Sequence, residues 1–159
     1  MILRLEDPDL GGMDWNNDRY AKEWTLERRA LFNGADLQIR IEPEFGTQII
    51  DPIQIAATKI ALALPSDSLS KSAPAVLQNY EACESLLEDE KLLEIRKPID
   101  IWNYITLESI VVPPHESEGV SIPSFMMYGE CSWDLEHGLE IRFRDGYADE
   151  SDQQGHIGI

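Results

Sequence analysis

The densest run of chemically capable side chains is Trp133-Asp134-Leu135-Glu136-His137-Gly138-Leu139. Two carboxylates and an imidazole within four residues are the components of a general acid–base group or of part of a metal site. The same residue types also build a turn between two strands. Asp134 can bond its own turn backbone, Gly138 can take a positive φ, and Trp133 and Leu139 can pack inward. Turn chemistry demands neither Glu136 nor His137. One reading of the chain is therefore a small metal-dependent or acid–base enzyme that uses Glu136 and His137.

Other reactive residues form no recognisable pattern. His115 follows Pro113-Pro114 and His156 lies near the end, so the three histidines have no metal-ligand spacing. Asp145, Asp149, Glu150 and Asp152, or the early group Asp7, Asp9, Asp14 and Asp18, have the hard oxygen donors a cation such as calcium prefers, without an EF-hand pattern. Cys83 and Cys131 are far apart and outside any C-x-x-C, as expected of buried free thiols. Nucleophile-elbow, phosphate-loop and dinucleotide glycine patterns are all missing. The sequence thus predicts no cofactor, no metal site and no catalytic residue outside the 133–139 run.

Charge is more informative. The 159 residues carry 13 Lys+Arg against 30 Asp+Glu, a net charge of -17. A phosphate backbone needs a basic face, so general nucleic-acid binding is excluded, and docking on an anionic membrane is disfavoured. The stretch 81–95 holds Glu81, Glu84, Glu88, Asp89, Glu90 and Glu94 against Lys91. Such a surface either keeps a protein soluble or steers a basic partner toward it. Glu84, Glu88, Asp89 and Glu90 are the first candidate contacts. Trp15 and Tyr20, aromatics in a polar segment, are candidate anchors. No run reaches the roughly 18 apolar residues of a membrane span, and the first residues lack a signal-peptide pattern. The leading expectation is a non-enzymatic, acidic, cytoplasmic protein that captures a basic partner by steric and electrostatic means. A structural or regulatory interaction module is the third reading.

The elements that must position these residues are legible in part. Asn33-Gly34 is a strong two-residue hairpin signal. It predicts pairs whose numbers sum to 67, placing Leu26 opposite Ile41, Glu27 opposite Arg40 and Arg28 opposite Ile39. Arg28 is then an inward-facing anomaly. Asp51-Pro52 reads as a helix start, with Ile53, Ala56, Ala57, Ile60 and Leu64 at helical spacing. A second helix is predicted to begin near Ser72 to Pro74, with Val76, Leu77, Tyr80, Cys83 and Leu87 as its stripe. Strands follow at 110–112, 125–133 and 139–144, and Asp145-Gly146 opens a last, weakly apolar hairpin. Residues 6–18 read as a loop, and the whole as one domain, 1–159, with 1–18 and 150–159 loosely ordered. The order strands, helices, strands predicts an α+β fold: an antiparallel sheet built from β-hairpins with two helices packed on one face.

The string Glu-Cys-Ser-Trp-Asp-Leu-Glu-His-Gly-Leu-Glu-Ile-Arg-Phe-Arg-Asp-Gly, residues 130–146, resembles the signature C-x-W-D-x-E-H-G-L-x-[IV]-x-F-x-[DN]-G of a family of uncharacterised bacterial domains. Phe32-Asn33-Gly34 and the run from Trp102 to Val112 are similar to that family's early turn and mid-chain strand. The resemblance covers most of 20–147, and its specific part is 130–146. It implies the fold, and because some members look like immunity proteins of bacterial toxin systems, it implies a toxin as the basic partner. It supplies no catalytic residues. The polar stretch 149–155 departs from the further apolar strand such domains often carry.

Overall fold

Asn33 and Gly34 both take positive φ, 51° and 76°, the geometry of a tight turn that matches strand twist. They join β3 (Lys22–Phe32) to β4 (Ala35–Ile41). Next to the turn the partners are Phe32–Ala35, Leu31–Asp36, Ala30–Leu37 and Arg29–Gln38, but beyond Arg29 the register shifts and Thr25 faces Arg40. Residues 26–28 of β3 bulge opposite Ile39 alone. Two extra residues preserve alternation, so Trp24, Leu26, Ala30 and Phe32 are all buried. The bulge moves Arg28 off the apolar face to donate from Nη1 to the Asp9 carbonyl at 3.0 Å. It also re-pairs the charges: Glu27 meets Arg4 at 2.7 Å, and Arg40 meets Glu23 at 3.3 Å.

The computed structural model describes residues 1–159 as an eight-stranded open sheet, its strands in chain order, with helices between β4 and the next strand. The remaining strands are β1 (Arg4–Asp7), β2 (Gly11–Asn17), β5 (Ile105–Val112), β6 (Ser124–Cys131), β7 (Leu139–Arg144) and β8 (Tyr147–Asp152). Every neighbouring pair is antiparallel except β4–β5. A parallel pair needs a long crossover, and residues 42–104 supply it. The segment expected as an early loop instead forms β1 and β2. Its Asp7 accepts the N–H groups of Asp9 and Leu10, and Gly11 takes φ 81°, so the turn residues read in the sequence close a hairpin.

Helix α1 (Pro52–Leu62) starts at Asp51, which caps it through a reciprocal pair with Gln54. Its buried residues are Gln54, Ala57, Thr58 and Ala61, a face rotated from the larger apolar stripe. Gln54 explains the rotation. Its Nε2 donates to the carbonyls of Glu42 and Val112, at 2.6 and 3.2 Å, tying the helix across the ends of the parallel pair. Helix α2 (Ser68–Glu84) begins a turn earlier than predicted and carries exposed Pro74 inside it. Serines fasten α2 to the last hairpin: Ser68 Oγ donates to Gly146 O and Ser72 Oγ accepts from Ala148 N. Ser151 Oγ donates back to Ala75 O. These bonds hold β8, which has little apolar surface of its own.

A 3-10 helix, Pro98–Tyr104, leads into β5. Ala57, Ala61, Ala73, Val76, Tyr80, Ile101 and Trp102 join the apolar strand residues in one core cluster. Phe143 stacks on Phe125 at 5.1 Å and meets Phe32 edge-on at 5.7 Å. The final residues run back along the sheet, where Ile157 N donates to Glu140 and Arg142 Nη1 to Gly158 O. No helix is long and apolar enough to cross a membrane.

Candidate functional site

The 133–139 run lies between β6 and β7 and is knit into the fold. Trp133 is buried, meets Tyr80 edge-on at 5.7 Å and donates its indole N–H to Asn79 Oδ1 at 2.8 Å. Asp134 Oδ1 accepts the backbone N–H of His137 and contacts its Nδ1 at 2.9 Å. That carboxylate raises the proton affinity of His137 through hydrogen bonding and opposite charge. Gly138 takes φ 69° and has the Gln154 side chain against it, where a Cβ would collide. Glu136 is exposed, and no hydrogen bond or ion pair joins it to His137.

The other reactive groups are dispersed. His115 is fully buried beyond β5. Its Nδ1 donates to Pro113 O and its Nε2 accepts from Ser124 N, both at 2.9 Å, which fixes a neutral imidazole. Burial pushes its proton affinity down, opposed by Pro113, Asp51 and Ser124. Cys83 and Cys131 are free thiols, and burial pushes Cys131 up to about 11. Asp149 and Glu150 are taken up by Arg142, Asp14 by Arg4, and Asp9 by Lys59. No three His, Cys, Asp or Glu side chains are grouped to hold a metal ion.

The acidic segment is different in kind. Helix α2 ends at Glu84, and the chain turns through Leu86 and Leu87 into a 3-10 turn at Asp89–Lys91. Cys83, Leu87, Leu93 and Ile95 pack against the core, and the Tyr80 hydroxyl accepts Leu93 N–H at 3.0 Å. These contacts pin one side of the segment. Glu81, Glu84, Glu88, Asp89, Glu90 and Glu94 remain exposed on the other. All ten ion pairs of the fold lie elsewhere, and even Lys91 within the segment pairs with none of these carboxylates. Among them Leu86 is 85% exposed.

Trp15 and Tyr20 come together at a separate place, the wall of a cleft of about 1110 Å³ where β2, β3 and the chain after β4 meet. Trp15 lies 5.0 Å from the buried Trp24 ring, whose indole N–H donates to Gln48 O. Tyr20 is 87% exposed and Phe45, after β4, is 99% exposed. Glu23, Arg40 and Glu42 also line the cleft. The Glu23 side chain is only 5% exposed, and its polar partner is Arg40 Nη1. Glu42 is exposed, yet enough protein surrounds its carboxyl for desolvation, and then the like charge of Glu23, to push its proton affinity up against the pull of Arg40. The sequence did not point to Glu23, Arg40 or Glu42, because the unbulged register sends Arg40 to Glu27. The exposed Phe45 beside Gly46 was the readable signal.

Comparison with known proteins gives a family without a described activity. The model of a family described as a domain of unknown function, DUF6985, matches residues 13–157, and the chain belongs to that family. No curated protein and no solved structure matches the chain.

Proposed function

We propose that this member of the family is a non-enzymatic binding protein that captures a basic partner protein through its acidic segment, in the manner of an immunity protein or inhibitor of a bacterial toxin. The observation that carries the reading is the unpaired state of the six carboxylates at 81–94 around an exposed leucine. Elsewhere Arg4 neutralises Asp14, and Arg142 neutralises Asp149. Here the field is left open, and the net charge of -17 reinforces it. Long-range attraction of this kind speeds encounter with a cationic partner and suppresses encounter with anionic ones. Leu86 offers the apolar contact on which such a complex would close, and the core contacts of Leu87, Leu93 and Ile95 hold the segment in place beforehand. The mechanism is occlusion: the partner's basic working surface is covered, and no bond is made or broken.

The purified protein used as bait in a lysate of its source cells, with the toxin candidate expressed, tests the reading. Retention of a basic protein at low salt and its release at high salt are expected. A retained protein that is acidic, or indifferent to salt, overturns the reading. Asp134 and His137 bond to each other in closing a turn, which favours the binding reading over acid–base chemistry at Glu136 and His137.

A further inference from the structure

We infer that the cleft between β2, β3 and the chain after β4 is a receptor for a single basic side chain, an arginine or lysine presented by a polypeptide. The inference adds a second contact to the partner capture proposed above and rests on that reading only for the source of the side chain. Three observations converge on it. First, the cleft floor holds two carboxylates for one guanidinium. Glu23 is buried, and its one polar contact, to Arg40 Nη1, is long at 3.3 Å. A carboxylate has lone pairs for about four hydrogen bonds, so Glu23 has acceptor capacity to spare. Arg40 is shared further with Ser109 Oγ, also at 3.3 Å. Glu42 forms no ion pair at all, and the like charge of Glu23 works on it. A second cation is what this floor lacks.

Second, the walls are aromatic and open to solvent. Tyr20 and Phe45 are almost fully exposed, and Trp15 is only partly covered. Trp15 leans on the buried Trp24 ring, whereas Tyr20 and Phe45 bury little within the fold, and ring faces attract a guanidinium or ammonium group. Third, the fold shows the contact on a small scale. The chain's own Arg19 lies 5.6 Å over the Tyr20 ring. Lys22 also reaches the cleft, but neither it nor Arg19 pairs with Glu23 or Glu42. An incoming arginine would place its stem along Phe45 and Tyr20 and its head toward Glu23 and Glu42. The cleft volume, about 1110 Å³, is large enough for one such side chain with its flanking backbone.

Titration of the 15N-labelled protein with acetylated tri-arginine amide, followed by the four indole N–H signals, tests the assignment. Trp15 lines the cleft, whereas the indoles of Trp102 and Trp133 are bonded to Leu69 O and Asn79 inside the core. Saturable shifts at Trp15, with Trp102 and Trp133 still, are expected, and tri-alanine and tri-glutamate amides should give none. Tyr20→Ser and Glu42→Gln, both at exposed positions, should each weaken binding about tenfold, whereas Glu88→Lys with Asp89→Lys should leave the Trp15 shifts in place. Absence of Trp15 shifts, equal response to the acidic peptide, or loss of the shifts in the Glu88→Lys/Asp89→Lys variant alone would each overturn the inference. Capture of a partner through 81–94 by a protein whose cleft fails this test would leave the proposed function standing.

Discussion

Asp51 is the joint on which the crossover turns, and replacing it gives a sharply defined expectation. Its Oδ1 accepts the Gln54 N–H at 2.7 Å, and its Oδ2 accepts those of His115 at 2.9 Å and Glu116 at 3.1 Å. One carboxylate thus starts α1 and anchors the loop between β5 and β6. Loss of an N-cap costs about 0.5–2 kcal/mol. Stranding the N–H of buried His115 adds about 1.5–3 kcal/mol, the usual worth of a bond to a charged acceptor. Glu116 is exposed and recovers its bond from water. Asp51→Ala should therefore lose about 2–5 kcal/mol, a large part of an ordinary domain's stability. With a urea m-value of about 2 kcal/mol per molar, the midpoint should fall by about 1–2.5 M at unchanged slope. Burial alone pushes the Asp51 carboxyl up, but the three N–H groups outweigh it and hold it below its ordinary value. The unfolded chain then takes up a proton at higher pH than the folded one. The ionised carboxylate's contribution is complete above the unfolded value near 3.9 and is lost as pH falls through the folded value. Asp51→Asn should remove that part of the acid sensitivity. A midpoint within about 0.2 M of wild type for Asp51→Ala would refute the reasoning.

Further expectations follow from the same geometry. His115 is held neutral, with its proton affinity depressed by burial. Its contribution is complete above the unfolded value near 6.5 and declines as pH falls from there, so in a His137→Ala background, which removes the opposite trend of the Asp134-paired imidazole, the urea midpoint should drop between pH 7.5 and 5 and His115→Gln should flatten the drop. Trp133→Ala should cost about 3–5 kcal/mol by emptying a core site and freeing Asn79, read by thermal melting. Cys131, pushed up to about 11 by burial, should resist thiol reagents at pH 8 until urea unfolds the chain. Glu136→Gln with His137→Ala should lower the melting temperature slightly, through loss of the Asp134–His137 contact, and leave partner retention at the wild-type value; loss of retention would move the working site to that turn.

The parts of the fold visible in the sequence are those encoded by neighbours in the chain. Asn33-Gly34 and Asp145-Gly146 take the positive φ values their types predict, and Asp51-Pro52 starts a helix. The bulge at 26–28 was hidden, because a two-residue insertion keeps alternation intact and leaves only Arg28 out of place. The helix faces were legible in part: Val76, Leu77, Tyr80, Cys83 and Leu87 of the second stripe, and Ala57 and Ile60 of the first, are buried in or packed on the core, whereas the bonds of Gln54, Ser68 and Ser72 run to carbonyls and N–H groups far off in sequence and leave no mark on hydropathy. The parallel β4–β5 pair likewise depends on where a 63-residue crossover lands, counted from 42 through 104. At the candidate sites, composition exposed the acidic segment and the unusual placement of Trp15 and Tyr20. The cleft they line needs the shifted register that carries Arg40 to Glu23.

The central claim is that the unpaired carboxylates at 81–94 capture a basic partner. It is tested most directly by comparing wild-type bait with bait carrying Glu84→Lys, Glu88→Lys and Asp89→Lys, each at low and high salt, with association rates measured for the retained protein. These positions are exposed and make no ion pairs, so folding should be untouched. The account predicts that the wild type retains a basic protein at low salt, and that reversal slows its association by at least about tenfold and flattens the salt dependence. Equal retention and equal association rates for the two baits would contradict it.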